Sequence, residues 1–134
     1  MRFAGYAALF DRVDSGGDVI RPGAFARSLG SGRTVPLLWQ HDPAQPIGRV
    51  ERVAEDARGL RVVGRLTERA AGRAGEAAAL VRDGALSGLS FGYRVRDQRR
   101  GACRELLDLD LVEVSLVTFP TQPAARVHAI ADAD

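Results

Sequence analysis

Two stretches of alternating apolar and polar residues, near 87–96 and 104–119, constrain this chain more than anything else in it. A short polar segment around Cys103 separates them. A period of two puts successive side chains on opposite faces of a sheet, and two such runs in tandem read as a hairpin. In the first run Leu89, Phe91, Tyr93 and Val95 share one face, and Gly88, Ser90, Gly92 and Arg94 share the other. In the second, Val112, Val114 and Leu116 face one way and Glu113 and Ser115 the other, with a break near Asp108 as an alternative. The apolar faces belong to the core, so the hairpin needs further elements to cover them.

Shorter segments supply that cover. Residues 3–10, 35–39, 47–53 and 60–66 read as strands, the last two as a hairpin turning near 56–59. Residues 14–18 are a turn cluster. Pro22 opens a short helix over 23–29, closed by Gly30. The firmest helix covers 68–82, with Thr67 as N-cap, with Ala70, Ala74, Ala77 and Val81 at helical spacing, and with Asp83-Gly84 as the stop. Pro120 and Pro123 end the sheet, because proline cannot donate to a ladder. Residues 126–134 read as a weakly structured tail. At 134 residues the expectation is a single domain spanning 1–134. Six or seven short strands with few helices predict a mainly β fold, a closed barrel or a sandwich.

Composition narrows the function classes. All 19 basic residues are arginine, yet the net charge is only +2 and the arginines are spread along the chain. The one small cluster, Arg94, Arg96, Arg99, Arg100 and Arg104, reads as a solvated hairpin tip ahead of a nucleic-acid patch. A single cysteine cannot form an internal disulfide, which favours a reducing compartment. No apolar stretch approaches a membrane span, and the segment from Met1 to Gly5 lacks the apolar run of a signal peptide, so the expected location is the cytoplasm. Gly30-Ser31-Gly32 is too short for a phosphate loop and lacks its lysine. Two histidines and one cysteine in no ligand spacing give no expectation of a metal or a cofactor.

Three polar residues stand where chemistry is possible. Ser90 lies between Gly88 and Gly92 on the polar face of its strand, either an ordinary surface serine or a hydroxyl that a peptide backbone can approach. His41 ends the apolar segment before Pro43; it is either bonded to the turn or is a general base, since histidine titrates nearest neutrality. Glu113 interrupts an apolar strand, on a solvated face or held by a partner. Asp108 and Asp110 have the opposite parity unless a bulge intervenes. His128 lies in the polar tail, and a cysteine hydrolase built on Cys103 is a minor reading.

Four segments in order resemble the phage prohead maturation protease family over about residues 3–125. They are Gly5-Tyr6-Ala7 with Phe10-Asp11 and the run from Asp18 to Phe25; Leu38-Trp39-Gln40-His41-Asp42; Gly88-Leu89-Ser90-Phe91-Gly92-Tyr93; and Glu113-Val114-Ser115-Leu116-Val117-Thr118 with Pro120. The resemblance implies a fold similar to the herpesvirus assemblin proteases, a closed antiparallel β-barrel ringed by helices. It implies Ser90 as nucleophile and His41, 49 residues earlier, as base, with Glu113, 23 residues later, as the third member. Loose analogy puts the oxyanion hole at Thr121 and Gln122, because Pro120 and Pro123 have no N–H. The implied substrates are scaffold protein or a scaffold-like segment of the major capsid protein, cut inside the procapsid in the bacterial host, with self-processing common. Many relatives carry longer C-terminal extensions. Assemblin relatives often dimerise, which gives the expectation of a homodimer or higher oligomer. The competing reading from another class is a noncatalytic β-barrel module that binds capsid.

Overall fold

The computed structural model describes residues 1–68 and 72–132. Eight strands and two helices follow one another as β1 (Arg2–Leu9), β2 (Asp18–Ile20), α1 (Ala26–Gly30), β3 (Pro36–Trp39), β4 (Asp42–Glu55), β5 (Gly59–Leu66), α2 (Arg73–Asp83), β6 (Gly88–Arg100), β7 (Arg104–Val117) and β8 (Val127–Ala131). Mainly β with few helices is therefore the observed class. The strand order is β2-β7-β3-β4-β5-β1-β8, with β6 on the other side of β7.

Two expectations about the sheet are corrected. It is not purely antiparallel: β2 and β3 both run parallel to β7, along different parts of its length. Nor is it a closed barrel, since among the described residues no ladder joins β6 to β1. Residues 125–127 lie in that seam instead. Leu89 N–H donates to the Ala125 carbonyl, Val127 N–H to Ser87, and Tyr6 N–H to Arg126. A chain arriving from Pro120 and Pro123 touches the β6 edge at single points and joins a ladder with β1 only from Val127 on.

The long hairpin β6–β7 dominates the fold, with Ser90 opposite Ser115 and Gly92 opposite Glu113. Its register shifts once beside the polar cluster: Gly92 faces Glu113 but Tyr93 faces Leu111. Val112 is the extra residue, a β-bulge, and it changes which parity points inward. Below it Leu109 and Leu111 are buried, and above it Val114 and Leu116 are buried. The core combines these with Phe3, Phe25, Leu37, Ile47, Leu60, Val62 and Leu89. Phe91 meets Phe25 edge-on at 5.2 Å between ring centroids.

Other elements depart locally from expectation. The first helix is a short turn of five residues, Ala26–Gly30. The second begins at Arg73 behind Gly72 and ends on the left-handed Gly84. Thr67 does not cap it; its N–H donates to the Ile47 carbonyl. Ala70, with Arg69 and Ala71, lies outside the described residues. The expected loose tail contains β8, which pairs with β1 from Arg2 to Gly5. The strand presents no buried face that a pattern could reveal, since only one of its residues, Val127, is even half-buried. No helix among the described residues is long and apolar enough to cross a membrane.

Candidate active site

The chain reverses between β3 and β4 in a two-residue loop, since Trp39 pairs with Asp42. Gln40 and His41 are its central residues, and both have positive φ, 51° and 60°. This is the pattern of a type I′ hairpin turn, normally supplied by Asn-Gly or Asp-Gly. Holding two larger side chains there costs roughly 1–2 kcal/mol each. Two contacts offset that cost: Gln40 N–H donates to the Leu116 carbonyl at 2.9 Å, and His41 N–H donates to Ser115 Oγ at 3.1 Å. The turn thereby aims the His41 ring back across the neighbouring strand β7.

There the ring meets Glu113. His41 Nδ1 lies 2.5 Å from Glu113 Oε1. The second carboxylate oxygen, Oε2, accepts the Ser115 hydroxyl at 2.7 Å. Ser115 is fully buried and Glu113 is 8% exposed, whereas the histidine side chain keeps 42% of its surface in solvent. A carboxylate so placed fixes the ring's orientation and its tautomer while the other ring nitrogen stays free. Ser115 serves both partners, and the sequence reading singled it out only as a face-mate of Glu113. Its signal was its position two residues after an acid in an apolar strand, where a buried hydroxyl requires a partner.

Ser90 stands directly opposite Ser115, so its side chain projects from the same face as Glu113. It is buried, at 8% exposure. The flanking glycines have a different use from the one expected. A Cβ on Gly92 would fall 2.5 Å from Glu113 Oε1, and one on Gly88 would fall 2.8 Å from the Pro120 ring. Both bare positions are filled by the protein itself: Gly92 admits the glutamate. Ser90 also lines a cleft of about 260 Å³ with Thr121, Gln122, Asp14, Gly16 and Tyr93. The Gln122 side chain is committed to the Leu9 backbone, donating to its carbonyl and accepting its N–H. Among the described residues, no protein group accepts from the Thr121 or Gln122 backbone N–H.

The bulge at Val112 brings Asp108 and Asp110 to the outward face as well, so parity does not exclude them. Their partners do. Asp110 accepts from Arg27 and Arg96 at 2.6 Å each, and Arg27 first, then Arg96, holds its carboxyl below the usual aspartate range. Asp108 is bonded to Arg27. The arginine cluster is largely spent in the same way, with Arg96 on Asp110, Arg99 on Glu105 and Arg104 on Asp18. Cys103 lies near the opposite end of the hairpin, where Arg100 pairs with Arg104. Ten residues of β6 separate that end from Ser90, roughly 33 Å of strand. His128 is exposed on β8 with its ring 6.0 Å from Tyr6. Neither residue approaches His41.

Comparison with known proteins follows the same outline. A family described as caudovirus prohead serine protease matches residues 1–133. The prohead protease of Enterobacteria phage HK97 is 34% identical over 139 residues, covering 98% of this chain and 61% of the relative. This chain thus spans about three fifths of that relative's length. Among solved structures, the bacteriophage T4 capsid assembly protease superposes with a TM-score of 0.72 at 14% identity, over 86% of this chain and 79% of that one. The varicella-zoster virus protease superposes with a TM-score of 0.61 at 19% identity, over 94% and 62%. These two likenesses are of fold, and they make the architecture herpesvirus-protease-like.

Proposed function

We propose that this chain, which belongs to the caudovirus prohead serine protease family, is a serine endopeptidase of procapsid maturation that acts through Ser90, His41 and Glu113. The observation that carries the reading is the 2.5 Å contact of His41 Nδ1 with Glu113 Oε1, on the strand face that also bears Ser90. In this mechanism Glu113 accepts a hydrogen bond from Nδ1–H and keeps the imidazole in the tautomer whose Nε2 is unprotonated. Nε2 then takes the Ser90 proton as the hydroxyl attacks the scissile carbonyl, and returns it to the leaving amine. Glu113 stabilises the imidazolium formed in between. The free N–H groups of Thr121 and Gln122, in the cleft that Ser90 lines, are the proposed donors to the oxyanion.

The proposed substrates are scaffold protein or a scaffold-like segment of the major capsid protein, cut inside the procapsid in the host cytoplasm, with self-processing where a site is present. The enzyme is proposed to work as a homodimer or higher oligomer, which sedimentation at assembly concentrations tests. For the catalytic reading the decisive experiment is Ser90→Ala with a co-expressed capsid or scaffold precursor. Loss of a serine nucleophile typically costs about 10⁴- to 10⁶-fold in rate, so processing should stop while the thermal melt is kept. Full processing by the folded variant sinks the assignment.

A further inference from the structure

We infer that Gln40 is a positioning residue, and that its side chain and Thr118 form the clamp that aims His41. The inference rests on the Ser90, His41 and Glu113 reading and adds a residue to it. Gln40 precedes His41 in a turn whose two central residues both sit in the left-handed region. Nothing intrinsic to glutamine or histidine favours that geometry, so external contacts must hold it. The Gln40 amide makes two of them with one residue. Its Nε2 donates to Thr118 Oγ1 at 2.7 Å, and its Oε1 accepts the Thr118 N–H at 3.1 Å. Thr118 follows the last residue of β7, the strand that carries Glu113 and Ser115.

The turn is therefore tied at three points, two on β7 and one just past its end. Ser115 Oγ holds the His41 N–H, the Leu116 carbonyl holds the Gln40 N–H, and Thr118 holds the Gln40 amide. The first two continue the line of the β3–β7 ladder, Leu37–Trp39 on Val114–Leu116, into the backbone of the turn. The amide clamp adds a lever arm away from that line and fixes the rotation. The His41 side chain keeps 42% of its surface in solvent, so packing holds it loosely and the backbone beneath it sets its aim. Gln40 touches neither Glu113 nor Ser90 in this arrangement; it acts through the backbone it immobilises.

Three readouts on Gln40→Ala, Thr118→Val and the double variant test this. The first is the rate at which a fluorophosphonate labels Ser90. The second is kcat and KM on a cleavable precursor peptide. The third is the exchange rate of the His41 Nδ1 proton by NMR. A displacement of the base by about an ångström costs on the order of 10²-fold, so labelling and kcat should fall about 10- to 100-fold with KM within twofold. The Nδ1 proton should exchange faster in each variant. The double variant should be no worse than Gln40→Ala alone, because Thr118→Val removes only one of the two bonds that Gln40→Ala removes. Thr118→Val keeps the side chain's shape at an exposed position, so it stands if Gln40→Ala misfolds. Unchanged labelling and unchanged Nδ1 exchange in the folded variants overturn the inference, as do effects that simply add. A wild-type protein that resists the probe defeats the Ser90 reading alone, and the NMR readout then decides the clamp.

Discussion

Replacing Gly92 with alanine perturbs the site at its narrowest point. The new Cβ would lie 2.5 Å from Glu113 Oε1 and 3.0 Å from both Cδ and Cγ, where ordinary contact begins at 3.4 Å. The glutamate must therefore retreat by about an ångström, since a packed neighbour cannot absorb such an overlap. Oε1 is the atom that His41 Nδ1 approaches at 2.5 Å. A retreat of that size takes the pair to or beyond the usual limit of about 3.2 Å for an N–H···O bond. Misplacement on this scale costs about 10²-fold, and removal of the acid's hold on the imidazole costs up to about 10⁴-fold. Turnover should accordingly fall by about two to four orders of magnitude. The fold should survive. Alanine is favoured over glycine in a strand by roughly 0.5–1 kcal/mol, against an overpacking cost of about 1–3 kcal/mol. The assay is precursor cleavage by the purified variant, with fluorophosphonate labelling and a thermal melt as controls. A folded Gly92→Ala protein with turnover within threefold of wild type refutes the argument that Gly92 exists to seat the carboxylate.

Other substitutions separate the neighbouring acids and the pH response. Glu113→Gln should lower turnover by about two to four orders of magnitude, whereas Asp110→Asn, which loses only contacts to Arg27 and Arg96, should leave steady-state turnover nearly unchanged. Ser115→Ala strips a donor from Glu113 and the acceptor from His41 N–H, so chemical denaturation should show a loss of about 1–3 kcal/mol, with turnover falling as well. Glu105 is held down to about 2, mainly by Arg99 and then by Arg21. Its folded-state pKa lies below the unfolded one, so its contribution is complete above about pH 4.5 and is lost as pH falls toward 2. Denaturation titrations of Glu105→Gln should therefore show a shallower stability loss across that window than wild type, and identical slopes would refute the pairing.

Period-two alternation made the polar face of the long hairpin legible, because an outward serine and an outward glutamate each interrupt an apolar pattern. His41 was legible only as a strand-end residue. Its left-handed turn was hidden because Gln-His carries none of the usual Asn-Gly signal, and the contacts that hold it come from residues 115–118, more than 70 positions away. The parallel pairing of β2 with β7 was equally out of reach: three residues, Asp18–Ile20, find partners at Arg104–Leu106. The seam at residues 125–127 could not be read either, since sheet closure depends on how strands meet in space and short strands alone do not say whether they will. Parity arguments misjudged Asp108 and Asp110 for a definite reason. The alternation is regular over Asp108–Leu111 and again over Glu113–Leu116, and nothing in either run reveals that their phases differ.

That phase difference makes the bulge as necessary to β7 as its composition. A β7 that kept Val112 but ironed out the bulge would be a regular strand with only one way to alternate. Keeping Leu109 and Leu111 inside would then turn Glu113 and Ser115 inward, and Val114 and Leu116 outward. Keeping Val114 and Leu116 inside would instead swing Asp108 and Asp110 into the core. Either outcome buries a carboxylate without its arginine or histidine, a cost of several kcal/mol per ion. The bulge, and not alternation alone, is therefore what keeps Glu113 beside its histidine and Asp110 beside its arginines on one outer face.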